Sequence, residues 1–499
     1  MTTAPGSLRL EHGELARAVA DRVAAGGRFA ALIASARDDG STALRALVAG
    51  RGALDTVETE LPPGVAHYPA LTPLVPAAAW YEREIRDLFG IEPAGHPRLD
   101  PLVLPLAGTA PPRPRPGASA QVAALELDTS PLPAHVAGEG VFTIPYGPVR
   151  SGVFESIEYL VESYGEDIAH LRTRVYYKHR GLERRFSELD PADGVLLAER
   201  VEGAASVAHA MAFSQALEAL SGIDPPRAAG FLRVVHAELE RVANHLDSVI
   251  RHTEGAGQAV AYARMTLHKE RLMRLRAALC GHRFGRGVVV PGGVAAPPLL
   301  GTGEALAAVA ELELAISEDA RALMTTPSFL DRLRRTGVIP HDVAAGHGAL
   351  GPVGRGSGLG EDVRVERPYG AYRLLGFQPA ELREEGDALA RQFVRLDEIA
   401  SAFHLARQAF DELAQLDQEP SWRHELPPPD GVALASVEAP QGELIYLVEA
   451  AAGRIIRVKP RTASFHNLAL LPQAFRGDIL TDFVFIEASF GLQIAGVAG

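Results

Sequence analysis

The stretch Ala228–His252, AAGFLRVVHAELERVANHLDSVIRH, restricts this chain more than any other. Leu232, Val235, Leu239, Val242, Leu246 and Val249 recur in alternating steps of three and four. That spacing lines six apolar groups along one side of a helix of roughly six turns, and such a stripe has to be covered by other helices. Related stripes run through Ala259–Leu279, Glu304–Met324 and Asp387–Leu416. Together they predict a helical bundle as the core of the fold. Glu238, Arg241 and His245, and likewise Arg391, Arg395 and Glu398, sit at helical spacing within these segments. Buried charges persist when they are paired, so these residues predict ion pairs between helices.

Residues 1–107 read as a small α/β domain. Leu15–Ala25 has helical apolar spacing, and FAALIAS (Phe29–Ser35) and TALRALVA (Thr42–Ala49) read as strands joined by a DDGS turn. A helix is predicted over Ala78–Phe89, with Trp80, Ile85 and Leu88 on one side, charges on the other, and Gly90 as its stop. By periodicity alone it is an amphipathic surface helix followed by a Gly-His-Pro turn. Residues 108–135 carry too much proline for a helix or a central strand and read as a surface linker. The segments GVALASVEAP, GELIYLVEA and GRIIRVKP, in the last hundred residues, predict a small sheet packed on the bundle. The expected class is α+β: a small N-terminal α/β domain, a linker over 108–135, and a large, mainly helical domain over 136–499.

Composition removes several functions. The formal net charge is −13, against the basic face that nucleic-acid binding needs. Cys280 is the single cysteine, which excludes a disulfide framework, a CxxC zinc site and a thiolate-held iron–sulfur cluster. No run approaches the roughly 18 apolar residues of a membrane span. The first residues lack the apolar core of a signal peptide. No GxGxxG follows a strand, so any nicotinamide link is expected to come from another subunit.

The segment WYEREIRDLFG (Trp80–Gly90), followed by GHPRL (Gly95–Leu99), resembles the signature of the C subunit of NADH-quinone oxidoreductase, respiratory complex I. Most of the chain after the linker resembles the complex I D subunit and the large subunit of membrane-bound, energy-converting [NiFe] hydrogenases. The segments that carry this likeness include IPYGPVRSGVFE (Ile144–Glu155), YYKHRGLERRF (Tyr176–Phe186), RVEGAASVAHAMAF (Arg200–Phe213), GHRFGRGVVVPGGV (Gly281–Val294), VEAPQGEL (Val437–Leu444) and RVKPRTASFHN (Arg457–Asn467). Both halves in one chain resemble the fused large subunits of formate-hydrogenlyase-type complexes.

The departures matter most. The resemblance implies two CxxC pairs holding nickel and iron. Glu202 and Ala205 stand at the first pair, and Ser489 and Leu492 at the second when the C-terminal segment is laid against the I-D-P-C-x-x-C pattern. A nickel–iron centre needs soft anionic sulfur, which none of these side chains supplies. Gln441 replaces the hydrogenase arginine of the EAPRG segment, and Cys280 reads as a small buried hydrophobe. Glu183 matches a magnesium-binding glutamate of some hydrogenases; the alternative is a salt bridge to Arg180 or Arg184. The complex I quinone contacts are altered too: Arg150 replaces the hairpin histidine, Gly203 falls at the tyrosine, and Gly255, beside Glu254, falls at the aspartate.

The expected remnant is a cavity lined by Arg150, Glu202, His209 and Ser489. Glu202 there either takes up and releases protons or pairs with an arginine and fills space. The resemblance implies a peripheral-arm subunit of a membrane oxidoreductase, with a degenerate NiFe site and no metal redox centre of its own. Its implied partners are an iron–sulfur small subunit and a membrane subunit, and its implied place is the inner face of the cell membrane. A quinone-binding subunit and a non-redox scaffold of an ion-translocating complex are the alternatives.

Overall fold

The computed structural model describes residues 8–50, 52–105, 135–136, 138–150, 155–416 and 421–499. The expected linker lies outside them, apart from its last residue, His135. In the N-terminal part, β1 (Leu8–Leu10), α1 (Leu15–Ala24), β2 (Arg28–Ala36), β3 (Thr42–Gly50) and β4 (Ala53–Leu61) build a sheet in the order β1-β4-β3-β2, with α1 against it. The two strands read from the sequence are present and pair antiparallel, Ile33 opposite Arg45. Strand β4 has no such sequence signal, because Thr56, Glu58 and Thr59 break its apolar alternation and yet are buried.

Helix α2 (Ala79–Phe89) ends at Gly90, whose φ of 68° makes the left-handed cap. It is not the surface helix that periodicity suggests. Glu82, Arg83, Glu84 and Asp87 are all buried. Each charge has an acceptor or donor that compensates burial. Glu82 accepts from Leu71 N at 2.7 Å, Asp87 accepts from Leu102 N at 2.7 Å, and Arg83 donates to Asp100. Glu84 reaches across to Lys459 Nζ at 2.6 Å.

The second part opens with a three-stranded antiparallel sheet, β5 (Phe142–Tyr146), β6 (Glu158–Tyr164) and β7 (Asp167–Arg174). The bundle follows: α3 (Ser206–Ser221), α4 (Arg227–Gly255), α5 (Ala259–Cys280), α6 (Thr302–Leu323) and α7 (Ala388–Ala414). The six apolar residues of the α4 stripe are all at most 1% exposed. Burying each contributes about 1.5–3 kcal/mol. Of the ion pairs predicted between helices, Arg241 reaches Glu398 of α7 at 3.8 Å. Its bond to Glu238 at 2.9 Å lies within α4, and burial lowers the His245 pKa to about 4, so its 2.7 Å contact with Glu398 is a hydrogen bond of a neutral imidazole. Arg391 and Arg395 depart from that expectation. Arg391 donates to Ser489 Oγ and to the carbonyls of Gly386 and Gly337, and Arg395 donates to Arg391 O. Burial, with Arg395 nearby, lowers the Arg391 pKa to about 9.

The predicted C-terminal strands are β8 (Gly431–Ala439), β9 (Gly442–Ala451) and β10 (Arg454–Arg461), an antiparallel sheet between the two parts of the chain. Because strand side chains alternate, β9 serves two cores. Leu444, Tyr446 and Val448 pack with the bundle, while Ile445 and Leu447 pack with the N-terminal part. Polar contacts cross the same boundary: Arg28 with Glu443 at 2.7 Å, Tyr81 with His466 at 2.8 Å, and Arg45 with Glu449. The N-terminal part is thus docked through a shared core. After β10 come α8 (Ala463–Leu468), α9 (Phe483–Phe490) and the short α10 (Ala495–Ala498).

Candidate functional site

The loop before α3 is held from below by α4. Glu240 accepts from Val207 N at 2.8 Å and Ala208 N at 3.0 Å, satisfying first-turn amides that the helix itself leaves open. This fixes Ala205 just before α3 and His209 in its first turn. Glu202, 2% exposed, faces His209, which is fully buried. Glu202 Oε2 lies 3.5 Å from His209 Nε2, long for a hydrogen bond. Neither His209 Nε2 nor Glu202 Oε1 has a hydrogen-bond partner among the described residues. On the other edge of the ring, His209 Nδ1 is 2.7 Å from the Tyr446 hydroxyl. Burial, and then the Glu202 charge, push the Tyr446 pKa well up. Tyr446 therefore stays protonated, and in the tautomer that places the imidazole proton on Nε2, facing Glu202, its hydroxyl donates to Nδ1.

The partner of Glu202 is this histidine. Arg180, the nearby arginine, donates to the carbonyls of Arg200, Val201 and Ala495 and acts on Glu202 only as a charge. The other wall is Gly496, where a Cβ would lie 1.9 Å from Glu202 Oε1. Thr462 Oγ1 donates to Gly496 O at 2.9 Å, and His179 Nδ1 donates to Ala498 O at 2.7 Å, so the α10 segment is clamped in place.

The remaining candidates lie elsewhere. Arg150 makes a two-pronged pair with Glu487, at 2.9 Å on each prong, and Tyr159 donates to Glu487 at 2.7 Å. This group borders a cavity of about 50 Å³ whose wall also includes Glu155, Arg251, Leu492 and Gln493. Glu202, His209 and Ser489 do not line it. Ser489 is engaged by Arg391 and donates to Ile486 O. The structure therefore brings Glu202 and His209 together and places Arg150 and Ser489 in separate polar groups.

Glu183 pairs with neither Arg180 nor Arg184. Its carboxylate binds Arg457 at 2.8 Å and the Lys459 ammonium at 2.9 Å, because β10 passes directly over its helix, Leu182–Phe186. Cys280 is half-buried and donates to Arg276 O, and burial raises its pKa. Gln441 is buried, and both polar atoms of its side chain lack a partner among the described residues. Sequence reasoning misses Tyr446 and Gly496. Nothing local marks Tyr446, but Gln493 and Gly496 repeat the spacing of three seen at Glu202 and Ala205.

Residues 256–428 and 418–498 match the family model for the 49 Kd subunit of the respiratory-chain NADH dehydrogenase, and residues 41–113 match that for its 30 Kd subunit. The carbon monoxide-induced hydrogenase of Rhodospirillum rubrum is 31% identical over 352 residues, covering 70% of this chain and 96% of that protein. The C/D subunit of the NADH-quinone oxidoreductase of Acidiphilium cryptum is 26% identical over 488 residues, 88% of this chain and 82% of that protein. The formate hydrogenlyase subunit 5 of Escherichia coli is 26% identical over 449 residues, 87% and 77% respectively.

The chain belongs to the family of complex I 49 kDa subunits and membrane-bound hydrogenase large subunits. It is a complex I- or hydrogenase-related subunit of a membrane oxidoreductase. Among the described residues no helix is long and apolar enough to cross a membrane. Two groups implied by this family can be tested on the residues present. A nickel–iron centre needs soft sulfur ligands, and Glu202, Ala205, Ser489 and Leu492, the positions expected from the sequence, offer one carboxylate, one hydroxyl and no thiolate. The donor set does not fit that centre. For a quinone, the Arg150 cavity of about 50 Å³ compares with roughly 300–1,000 Å³ for small-molecule sites. Arg150 and Tyr159 already donate to Glu487 there, and Gly203 and Gly255 carry no side chain to add.

Proposed function

We propose that this chain is a peripheral-arm subunit whose former nickel–iron position holds no metal and serves as a buried proton-holding group. In this reading it links electron transfer in a partner iron–sulfur protein to a membrane subunit, at the inner face of the cell membrane. The carrying observation is the contact of Glu202 with Gly496. On this reading the second pair lies at Gln493 and Gly496, four residues beyond Ser489 and Leu492, so that the first CxxC position faces it and a carboxylate fills the space between them. The names of the relatives support the setting, since they include a membrane-bound hydrogenase subunit and NADH-quinone oxidoreductase subunits.

Glu202, His209 and Tyr446 supply the chemistry. The imidazole links a hydroxyl on one side to a carboxylate on the other, and the carboxylate is the seat for a proton taken up from outside this group. A change of charge in the neighbouring subunit shifts that uptake. The quinone reading is carried less far, because the Arg150 cavity needs to open before a ring fits.

The test is purification of the native assembly, with metal analysis and identification of its subunits. Iron and sulfide confined to a partner, with no nickel in this polypeptide, is expected. One equivalent of nickel here overturns the reading. Unchanged electron transfer in an assembly lacking the chain leaves only the scaffold role.

A further inference from the structure

Two carboxylates, one from the N-terminal part of the chain and one from the second part, flank a single lysine inside the molecule. Glu84 lies on α2, and Glu183 lies on the short helix after β7; both are buried. Lys459 Nζ sits between them, 2.6 Å from Glu84 Oε1 and 2.9 Å from Glu183 Oε1, while Arg457 takes Glu183 Oε2 at 2.8 Å. Burial opposes the Lys459 charge, and the two carboxylates outweigh it, holding the pKa above its ordinary value. All three side chains line a cavity of about 10 Å³ that Gly496, the neighbour of Glu202, also borders.

We propose that Glu84 and Glu183 form a dicarboxylate cation site whose resident cation is the Lys459 ammonium. Two oxygen donors around a small hollow are what a hard divalent ion such as Mg²⁺ or Mn²⁺ seeks. Here the charge comes covalently, on a strand. It cannot be removed by a chelator, and it fastens the N-terminal part of the chain to the region beside Glu202. Among the described residues two carboxylates face one ammonium and one guanidinium, so their charges balance. The inference stands apart from the proton-holding role, since it needs no redox partner.

The test uses the full-length chain, Mn²⁺ as a spectroscopic probe and Mg²⁺ in thermal melts. The wild-type protein should show no bound Mn²⁺ in electron paramagnetic resonance, and its Tm should be indifferent to Mg²⁺ or EDTA. Lys459→Ala should lower the Tm and bind Mn²⁺ at least tenfold more tightly than the wild-type protein. Adding Glu183→Gln to that variant should abolish the gain. If Lys459→Ala does not fold, Lys459→Gln, which keeps the side-chain volume and removes the charge, carries the same two expectations. Stoichiometric Mn²⁺ binding by the wild-type protein that Glu183→Gln removes would overturn the proposal. So would a folded Lys459→Ala that shows neither a lower Tm nor a gain in Mn²⁺ binding.

Discussion

Glu202 occupies the space that any side chain at position 496 would need, with Oε1 1.9 Å from where a Cβ on Gly496 would lie. Glu202 is buried and Gly496 half-buried, so the carboxylate has to shift before a side chain at 496 fits. Gly496→Ala should therefore destabilise the fold by about 1–3 kcal/mol, as overpacking does. Glu202→Ala should remove most of that penalty, giving a coupling energy in a double-mutant cycle of urea midpoints. Additive effects would mean the two positions do not meet.

Glu240 gives the fold a pH dependence of definite sign. Burial raises its carboxyl to about 7 from an ordinary 4.5, against the pull of Arg276 and two backbone amides. Between those pH values the folded chain holds a proton that the unfolded chain has released. Stability is then highest below about 4.5 from this group and falls as pH rises toward 7. The full effect is roughly 3 kcal/mol. Urea unfolding of the wild-type protein and of Glu240→Gln, measured from pH 5 to 8, should show this slope in the first and its loss in the second.

The docking of the two parts rests on a concentrated charge group. Glu443 accepts from Arg28 at 2.7 Å and also pairs with Arg367 and Arg461. Against the burial that opposes its charge, Arg28, Arg461 and Arg367 hold its carboxyl well below the ordinary range. Glu443→Gln leaves three guanidiniums short of a counter-charge, a change that costs about 3–5 kcal/mol for buried pairs. The expected readout is a lower urea midpoint, together with protease cleavage within residues 8–105 at earlier times than in the wild-type protein.

Periodicity in the sequence locates what lies on one face of an element, and at that level much is readable. The α4 stripe, the β2–β3 hairpin and the three C-terminal strands appear where apolar spacing puts them. What spacing does not contain is the partner across a gap. Glu84 and Asp87 look like solvated charges because their donors, Lys459 and the amides at 102–104, are distant in sequence. Glu183 invites pairing with the neighbouring arginines for the same reason, although β10 supplies the cations. No turn or cap in the sequence fixes the register of the second ligand pair, and the Glu202–Gly496 contact favours a placement four residues beyond Ser489 and Leu492. Only the contact with Glu202 points to Gly496.

The register itself can be tested by rebuilding. Each pair, Glu202 with Ala205 and Gln493 with Gly496, is closed by a backbone hydrogen bond from its fourth residue to its first, at 3.4 and 3.2 Å. Such turns carry both members of a CxxC pair toward one point, and Glu202 and Gly496 touch. Replacing all four by cysteine (Glu202→Cys, Ala205→Cys, Gln493→Cys, Gly496→Cys) removes the carboxylate that fills the space and supplies four thiolates. That variant should bind Co²⁺ or Zn²⁺ tetrahedrally, with thiolate-to-cobalt charge-transfer absorption. The set built with Ser489→Cys and Leu492→Cys in place of the last two should not, because Ser489 is held between Arg391 and the Ile486 carbonyl. Cobalt binding by the second set alone would restore the register at Ser489 and Leu492 and remove Gly496 from the site.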